Sequence, residues 1–223
     1  MQTTPEQTKL LEKHLSCVIK ANKCTNITRI DTWEQGWLLH VEDSLIGYEE
    51  VSSAPEGPMA DLGSGAGFPG IPLAILTGRH TTLVESVGKK ASLLKEFCAT
   101  LGIDGNVSVF SGRAEELART SNERFAVVTA RALSSIPSLM ELASPLLTQG
   151  GLLVCYKSSE IDEELEQGMK IQEKLAMHYQ SRRDVVLADG ETKRSIVVFM
   201  KQGEPTVTLP RREGQAQRHP YKS

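Results

Sequence analysis

"ADLGSGAGFPGIPLAI", residues 60–75, joins a short apolar strand signal to an apolar helical one through a run of glycines. Glycine carries no Cβ, so such a loop lets the backbone approach a ligand closely and adopt positive φ. A helix starting after the loop points its first N–H groups back at that ligand. "MADL" (59–62) reads as the strand and "GIPLAIL" (70–76) as the opening of the helix. The turn-rich break "SSAPEGP" (52–58) separates this unit from what precedes it.

Downstream the pattern repeats strand and helix. "TTLVES" (81–86) is a strand. "KKASLLKEFCATLG" (89–102) is an amphipathic helix with Leu93, Leu94, Phe97, Cys98 and Leu101 on one face and Gly102 as its C-cap. "NVSVFSG" (106–112) is a strand and "RAEELA" (113–118) a short helix. "RFAVVTARA" (124–132) is a strand ending near Thr129, and "SIPSLMELASPLL" (135–147) a helix. "GGLLVCYKS" (150–158) is a strand, and "EIDEELEQGMKIQEKLAMHY" (160–179) one longer helix. "RDVVLAD" (183–189) and "RSIVVFMK" (194–201) form a terminal strand pair. Strands alternating with helices of this length predict a mostly parallel α/β sheet with helices on both faces, closed by one antiparallel insertion. Upstream, residues 5–20 and 32–50 have helical spacing, the second with Trp33, Trp37, Val41 and Leu45 on one face. The expected organisation is an N-terminal helical cap (1–57), a ligand-binding domain (58–202) and an extended, loosely ordered basic tail (203–223).

The bulk composition fits this plan. The 223 residues are 39% hydrophobic and 24% charged, ordinary for a globular protein. No apolar run is long enough to span a membrane. "MQTTPEQTKLLEKHL" lacks a basic stretch followed by an apolar core, so it is not a secretory signal, and a cytoplasmic location is expected. Cys17, Cys24, Cys98 and Cys155 are scattered, and the last two sit in apolar segments as buried thiols; no metal site is expected. The net charge of −3 hides an asymmetry. Residues 1–60 carry five Lys/Arg against nine Asp/Glu, and residues 180–223 carry nine against five. A basic end is either a phosphate-contacting face or a solvated tail.

The glycine spacing admits two ligands. Gly63, Gly65 and Gly67 give G-x-G-x-G, while Gly65, Gly67 and Gly70 give the dinucleotide pattern G-x-G-x-x-G. Glu85, at the end of the next strand, is placed to take two ribose hydroxyls in either case. Three details favour a sulfonium ligand over a pyrophosphate. Asp61 puts a carboxylate at the strand terminus, which suits a cationic ligand. Phe68 and two prolines stand where a diphosphate needs bare N–H groups. "GRAEEL" offers the Ala114 main chain and the Glu115 carboxylate to an adenine. An NAD-dependent oxidoreductase, a non-catalytic ribosome-binding protein keeping the fold, and a small-molecule methyltransferase remain as alternatives.

Taken together, "DLGSGAGFPGIPLAI", "LVESVGKKASLLKEF", "SGRAEELA", "VVTARALSSIPSLMELASPLL", "GGLLVCYKS" and "RSIVVFMK" resemble the bacterial ribosomal RNA small subunit methyltransferase G family, from about Asn26 to Lys201. The resemblance implies a Rossmann-like, seven-stranded class I fold dependent on S-adenosylmethionine. It implies methylation of N7 of a guanine in 16S ribosomal RNA of the small subunit; a monomer is expected. Carried over by position, the cofactor contacts are Gly63, Phe68, Ala114, Glu115 and Arg131, with Glu85 at the ribose. The glycine loop adds Asp61 and Gly65 to that set. "NIT" (26–28) and "HVEDSL" (40–45) resemble the N-terminal motif, with Leu39 where a basic residue commonly precedes His40. N7 attacks unaided, so no general base is required, and Arg131 and Lys157 are candidates at the transfer site. Glu42 and Asp43 are placed to offset charge on the methylated base. Arg182, Arg183, Lys193, Arg194, Arg211 and Arg212 are candidates for phosphate contact. His14, His80, His178 and His219 have no ligand-like spacing and receive no role.

Overall fold

The computed structural model describes residues 3–222; Met1, Gln2 and Ser223, which end the two terminal segments, lie outside them. Seven strands form one sheet in the order β3-β2-β1-β4-β5-β7-β6. They are β1 (Met59–Leu62), β2 (Thr81–Glu85), β3 (Val107–Ser111), β4 (Phe125–Arg131), β5 (Leu147–Ser158), β6 (Met177–Val186) and β7 (Lys193–Lys201). The first five are parallel, and β7 is antiparallel to both β5 and β6. The chain proceeds outward from β1 to β3, then returns to start β4 on the other side of β1. That reversal opens a crevice beyond the carboxyl ends of β1 and β4.

Helices cover both faces. They are α1 (Pro5–Thr25), α2 (Trp33–Gly36), α3 (Asp43–Leu45), α4 (Tyr48–Ser53), α5 (Gly70–Thr77), α6 (Gly88–Leu101), α7 (Ala114–Thr120), α8 (Ile136–Ala143), α9 (Asp162–Lys170), α10 (Gln172–Leu175) and α11 (Gln215–Arg218). Helix α1 begins with a capping box, in which Thr4 and Gln7 exchange side-chain and backbone hydrogen bonds. Leu11, Leu15 and Val18 of α1 are buried against Ile71 of α5 and Leu94 and Phe97 of α6. The N-terminal helices therefore share the core of the sheet domain, and Leu15→Ala carries the usual buried-leucine cost of about 2–5 kcal/mol. A second apolar cluster, on the other side of the sheet, joins α8 and β5 to β7.

Four sequence expectations need correction. First, residues 33–45 are not one regular helix, because Trp37–Glu42 is π-helical. The wider turn re-aims the side chains, so Val41 is buried while Trp33 stays 41% exposed. Second, β4 runs through Thr129 to Arg131, and β5 starts at Leu147, ahead of the glycine pair. Third, the long helix over 160–179 breaks at Ile171, and Ala176 turns into the left-handed region. Met177 to Tyr179 then pair with β7, because the open sheet edge offers backbone hydrogen bonds that helical propensity alone does not match. Fourth, the basic tail is not loosely ordered. Val207, Leu209 and Tyr221 pack against the core, Ala216 is 1% exposed, and Arg211 makes a bidentate ion pair with Glu141. The four cysteines are unpaired, with Cys98 and Cys155 buried.

Candidate active site

The glycine loop leaves β1 and enters α5 at Gly70. At Gly65, φ is +58° and an added Cβ would meet only the Gly63 carbonyl, at 3.8 Å. The backbone there faces open space that a ligand can fill. Gly70 is constrained from the opposite side. Its Cβ would lie 2.7 Å from Asp61 Oδ2, which accepts the Gly70 N–H at 3.2 Å.

Asp61 lies beneath this loop, fully buried, and does not face outward toward a cation. It stands opposite Thr129 in the β1–β4 register and accepts the Thr129 hydroxyl at 2.8 Å. Burial raises its carboxyl to about 6, with the hydrogen bonds from Thr129 and Ser64 opposing. Its work is to brace β1, β4 and the start of α5. Glu85 closes β2 as expected. Its Oε2 accepts Gly65 N–H at 2.9 Å and its Oε1 accepts Val87 N–H at 2.8 Å, so the ribose candidate is pinned to the loop.

Phe68, expected as a cofactor contact, anchors the loop in an aromatic stack that the sequence did not signal. His40 lies flat on one side of the ring, at 4.7 Å and 8°, and His14 stacks on it at 4.4 Å and 29°. His14, assigned no role above, is fully buried and its Nε2–H meets the Ala66 carbonyl at 2.9 Å. Burial lowers it to about 3, so it is neutral at pH 7. Nothing in residues 1–20 signals this contact, which arises only when α1 packs on α5.

Arg131 ends β4 and ties the N-terminal segment to the loop. Its Nη1 donates to Asp43 Oδ2 at 2.9 Å and to the Leu39 carbonyl at 3.1 Å. Its guanidinium lies 5.7 Å from the centre of the Phe68 ring. Its Nη2 is 3.4 Å from His40 Nδ1, which makes Nδ1 the acceptor and leaves Nε2–H to donate to Thr28 Oγ1 at 2.9 Å. Burial, reinforced by the Arg131 charge, lowers His40 to about 4. Asp43, 3% exposed, also accepts Arg194 Nε at 2.8 Å. Lys157, at the end of β5, donates to the Ser134 carbonyl at 3.0 Å and to Glu164 Oε1 at 2.5 Å. Around these groups lies a groove of about 480 Å³, lined by His40, Asp43, Arg131, Tyr156, Lys157 and Arg194. That volume falls in the usual range of ligand sites, roughly 300–1,000 Å³. Tyr156 fixes the groove's floor by donating to the Ser44 carbonyl at 2.7 Å.

A second, smaller crevice of about 50 Å³ lies beside Gly63, Ser86, Ala114, Glu115 and Leu133. Ala132 lines the groove and Leu133 the crevice, so consecutive residues divide the two. The structure thus brings together the loop, Phe68, Glu85, Ala114, Glu115 and Arg131. The backbone at Gly65 leaves space for a ligand, and Glu85 and Glu115 are the carboxylates at hand to accept a nucleoside's hydroxyls and amine.

Most of the predicted phosphate contacts lie elsewhere. Arg183 is held bidentately by Glu50, both bonds at 2.8 Å. Arg182 is held by Asp162 and Asp184, Arg194 by Asp43, and Arg211 by Glu141. Lys193 and Arg212 are exposed.

A family model described as rRNA small subunit methyltransferase G matches residues 7–197. The chain belongs to that family. A ribosomal RNA small subunit methyltransferase G of Bacillus licheniformis is 30% identical over 217 residues, spanning 96% of this chain and 90% of the relative. That of Limosilactobacillus reuteri is 33% identical over 221 residues, spanning 96% and 91%. Among solved structures, an O-methyltransferase from Bacillus cereus in complex with SAH superposes with a TM-score of 0.60 at 17% identity, over 84% of this chain and 90% of that one. A putative RNA methyltransferase from Pyrococcus horikoshii gives 0.55 at 16% identity, over 73% and 83%. These likenesses establish the class I methyltransferase fold. Family membership sets aside the dinucleotide reading of Gly65, Gly67 and Gly70, and the match reaches nineteen residues further toward the N-terminus than the resemblance starting at Asn26, taking in His14.

Proposed function

We propose that this chain transfers a methyl group from S-adenosylmethionine to N7 of a guanine in 16S ribosomal RNA of the small subunit. The observation that carries the reading is the meeting of two spaces in a member of this family. A crevice lined by Gly63, Ala114 and Glu115, with Glu85 pinned to the glycine loop next to it, adjoins a larger groove around Arg131, and Ala132 and Leu133 divide the two.

The bound cofactor supplies an electrophilic methyl on a sulfonium. Guanine N7 carries a free lone pair, so the protein's work is alignment. Effects of that kind reach about 7–11 kcal/mol in favourable cases. Phe68, stacked between two neutral histidines, fixes the loop beneath the reacting atoms. Arg131, fastened to Asp43 and the Leu39 carbonyl, holds a positive edge toward the groove. With N7 reacting, that edge is left guanine O6, so the usual two-point reading of guanine by arginine is reduced to one. Methylation leaves a positive charge on the base; Asp43 lines the same groove, with its one charge already shared by Arg131 and Arg194. Lys157 is paired with Glu164, while Arg194 shares Asp43 with Arg131, so the groove keeps a net cationic character. The base reaches the groove by turning out of its loop, and the protein serves as a single chain in the cytoplasm.

The test is transfer of a labelled methyl group to small ribosomal subunits lacking the modification, followed by mapping of the labelled nucleotide. Label at N7 of one guanine is the expected result. Cofactor-independent binding without incorporation would instead identify a non-catalytic ribosome-binding protein.

A further inference from the structure

The C-terminal segment passes over the smaller crevice and touches Glu115, an acid that lines it. Glu115 lies in the first turn of α7, is 5% exposed, and accepts a hydrogen bond at 2.7 Å from the backbone N–H of Gly214. The two residues are 99 positions apart. Gly214 is buried, with φ at +73°, a conformation that glycine reaches without strain. Three residues on, Gln217 lines the same crevice as Gly63, Ala114 and Glu115, and its Oε1 is 3.4 Å from Arg113 Nη1.

This segment is held firmly. Upstream, Arg211 grips the buried Glu141 with both nitrogens, at 2.6 and 2.5 Å, and stacks on Tyr221 at 4.1 Å. In its middle, Ala216 is buried in the main core. Glu213 adds exposed pairs with Arg113 and Arg119, which contribute little. The Gly214 N–H is thus a fixed donor, positioned by two anchors independent of the cofactor site. A carboxylate is an acceptor only. With Oε1 occupied by Gly214, Oε2 is the oxygen left to receive an amine.

We infer that the C-terminal segment is part of the cofactor site, with Gly214 the positioning residue that orients Glu115 toward the exocyclic amine of adenine. The inference rests on the S-adenosylmethionine reading above. Charge-assisted hydrogen bonds to a fixed carboxylate are short and directional, and a carboxylate free to rotate loses that geometry. Gly214 therefore governs discrimination for the 6-amino group more than overall stability.

The test compares two ligands by calorimetry, S-adenosylhomocysteine and its analogue lacking the 6-amino group. The full chain is expected to prefer the first by about tenfold or more, the scale of one charged hydrogen bond. Gly214→Pro removes the N–H and, with φ locked at about −65°, also moves the turn away from Glu115; it should bring the ratio near one, chiefly by weakening S-adenosylhomocysteine. Gly214→Asn keeps the N–H, tolerates positive φ, and should restore the preference. Hydrogen exchange on the unaltered chain gives an answer even if these variants do not fold, since S-adenosylhomocysteine should slow exchange at residues 213–217. Unchanged discrimination in a folded Gly214→Pro, or unchanged exchange at 213–217, overturns the inference while leaving the proposed function intact. An unaltered chain that binds neither ligand overturns both.

Discussion

The two ends of the chain close on opposite flanks of the carboxyl edge of the sheet, and they do it with different chemistry. The N-terminal flank joins an aromatic stack to a cluster of ion pairs. His14 and His40 sandwich Phe68, and a single buried carboxylate, Asp43, gathers Arg131 and Arg194. The C-terminal flank is ionic: Glu141 holds Arg211, and Glu115 receives Gly214. Both flanks anchor arginine on a buried acid, Asp43 on one side and Glu141 on the other; the flank beside the groove adds a stack of neutral rings, which salt does not screen.

The sharpest break is at the loop both flanks serve. Gly65→Val puts a branched side chain at φ +58° into the space a ligand needs, and should abolish S-adenosylhomocysteine binding by calorimetry without unfolding the protein. Next comes Asp43→Asn, which leaves Arg131 and Arg194 without their shared charge. Removing one partner of a buried pair costs about 3–5 kcal/mol, so chemical denaturation should show a loss near the lower bound, with methyl transfer falling alongside. Because Asp43 serves the transfer side, cofactor affinity should fall less than transfer does. Glu141→Ala loosens the ionic flank. A loss of about 1.5–3 kcal/mol is expected, with S-adenosylhomocysteine affinity falling several-fold and becoming insensitive to salt.

The smallest effect at neutral pH is the most diagnostic of the aromatic flank. His14 is held at about 3, below the 6.5 of an unfolded histidine, so the unfolded chain binds the extra proton. Its contribution is complete above pH 6.5 and is lost as the pH falls toward 3. Asp61, held at about 6 against 3.8, has the opposite sign and gains stability as pH falls from 6 toward 4. His14→Phe keeps the stack and deletes the titration. It should be near neutral at pH 7 and relatively more stable by about 2 kcal/mol at pH 5, measured as the shift in denaturant midpoint at the two pH values. Equal acid sensitivity in both proteins would mean that His14 is not buried neutral against Phe68.

What could be read in advance follows the same division. The loop, Glu85, the Ala114–Glu115 turn and Arg131 were legible because each sits at a strand end, where local sequence fixes position. The partners that hold them were not. His14 lies on a helix whose apolar spacing describes only its own face, and Thr28 reaches His40 across a turn. Glu141 stands within the apolar run "SLMELA", where nothing points to an arginine seventy residues later. The tail misled for the same reason: a count of charges cannot see that Arg211 has a buried acid waiting. The break at Ile171 was hidden because residues 160–179 carry a helical pattern throughout, and only the unpaired edge of β7 makes Met177 extend.

The stacking of Tyr221 on Arg211 ties the segment after Gly214 to the anchor that holds it, whereas the capping box at Thr4 lies at the exposed start of α1. For anyone purifying this protein, an affinity tag is then a perturbation in its own right. A handle appended after the last residue pulls on the segment that aims Glu115, whereas one placed before Thr4 meets the solvent end of a helix with twenty-one residues to absorb the strain. Ligand affinities taken from the two fusions should differ, and the amino-terminal one is the better stand-in for the native chain.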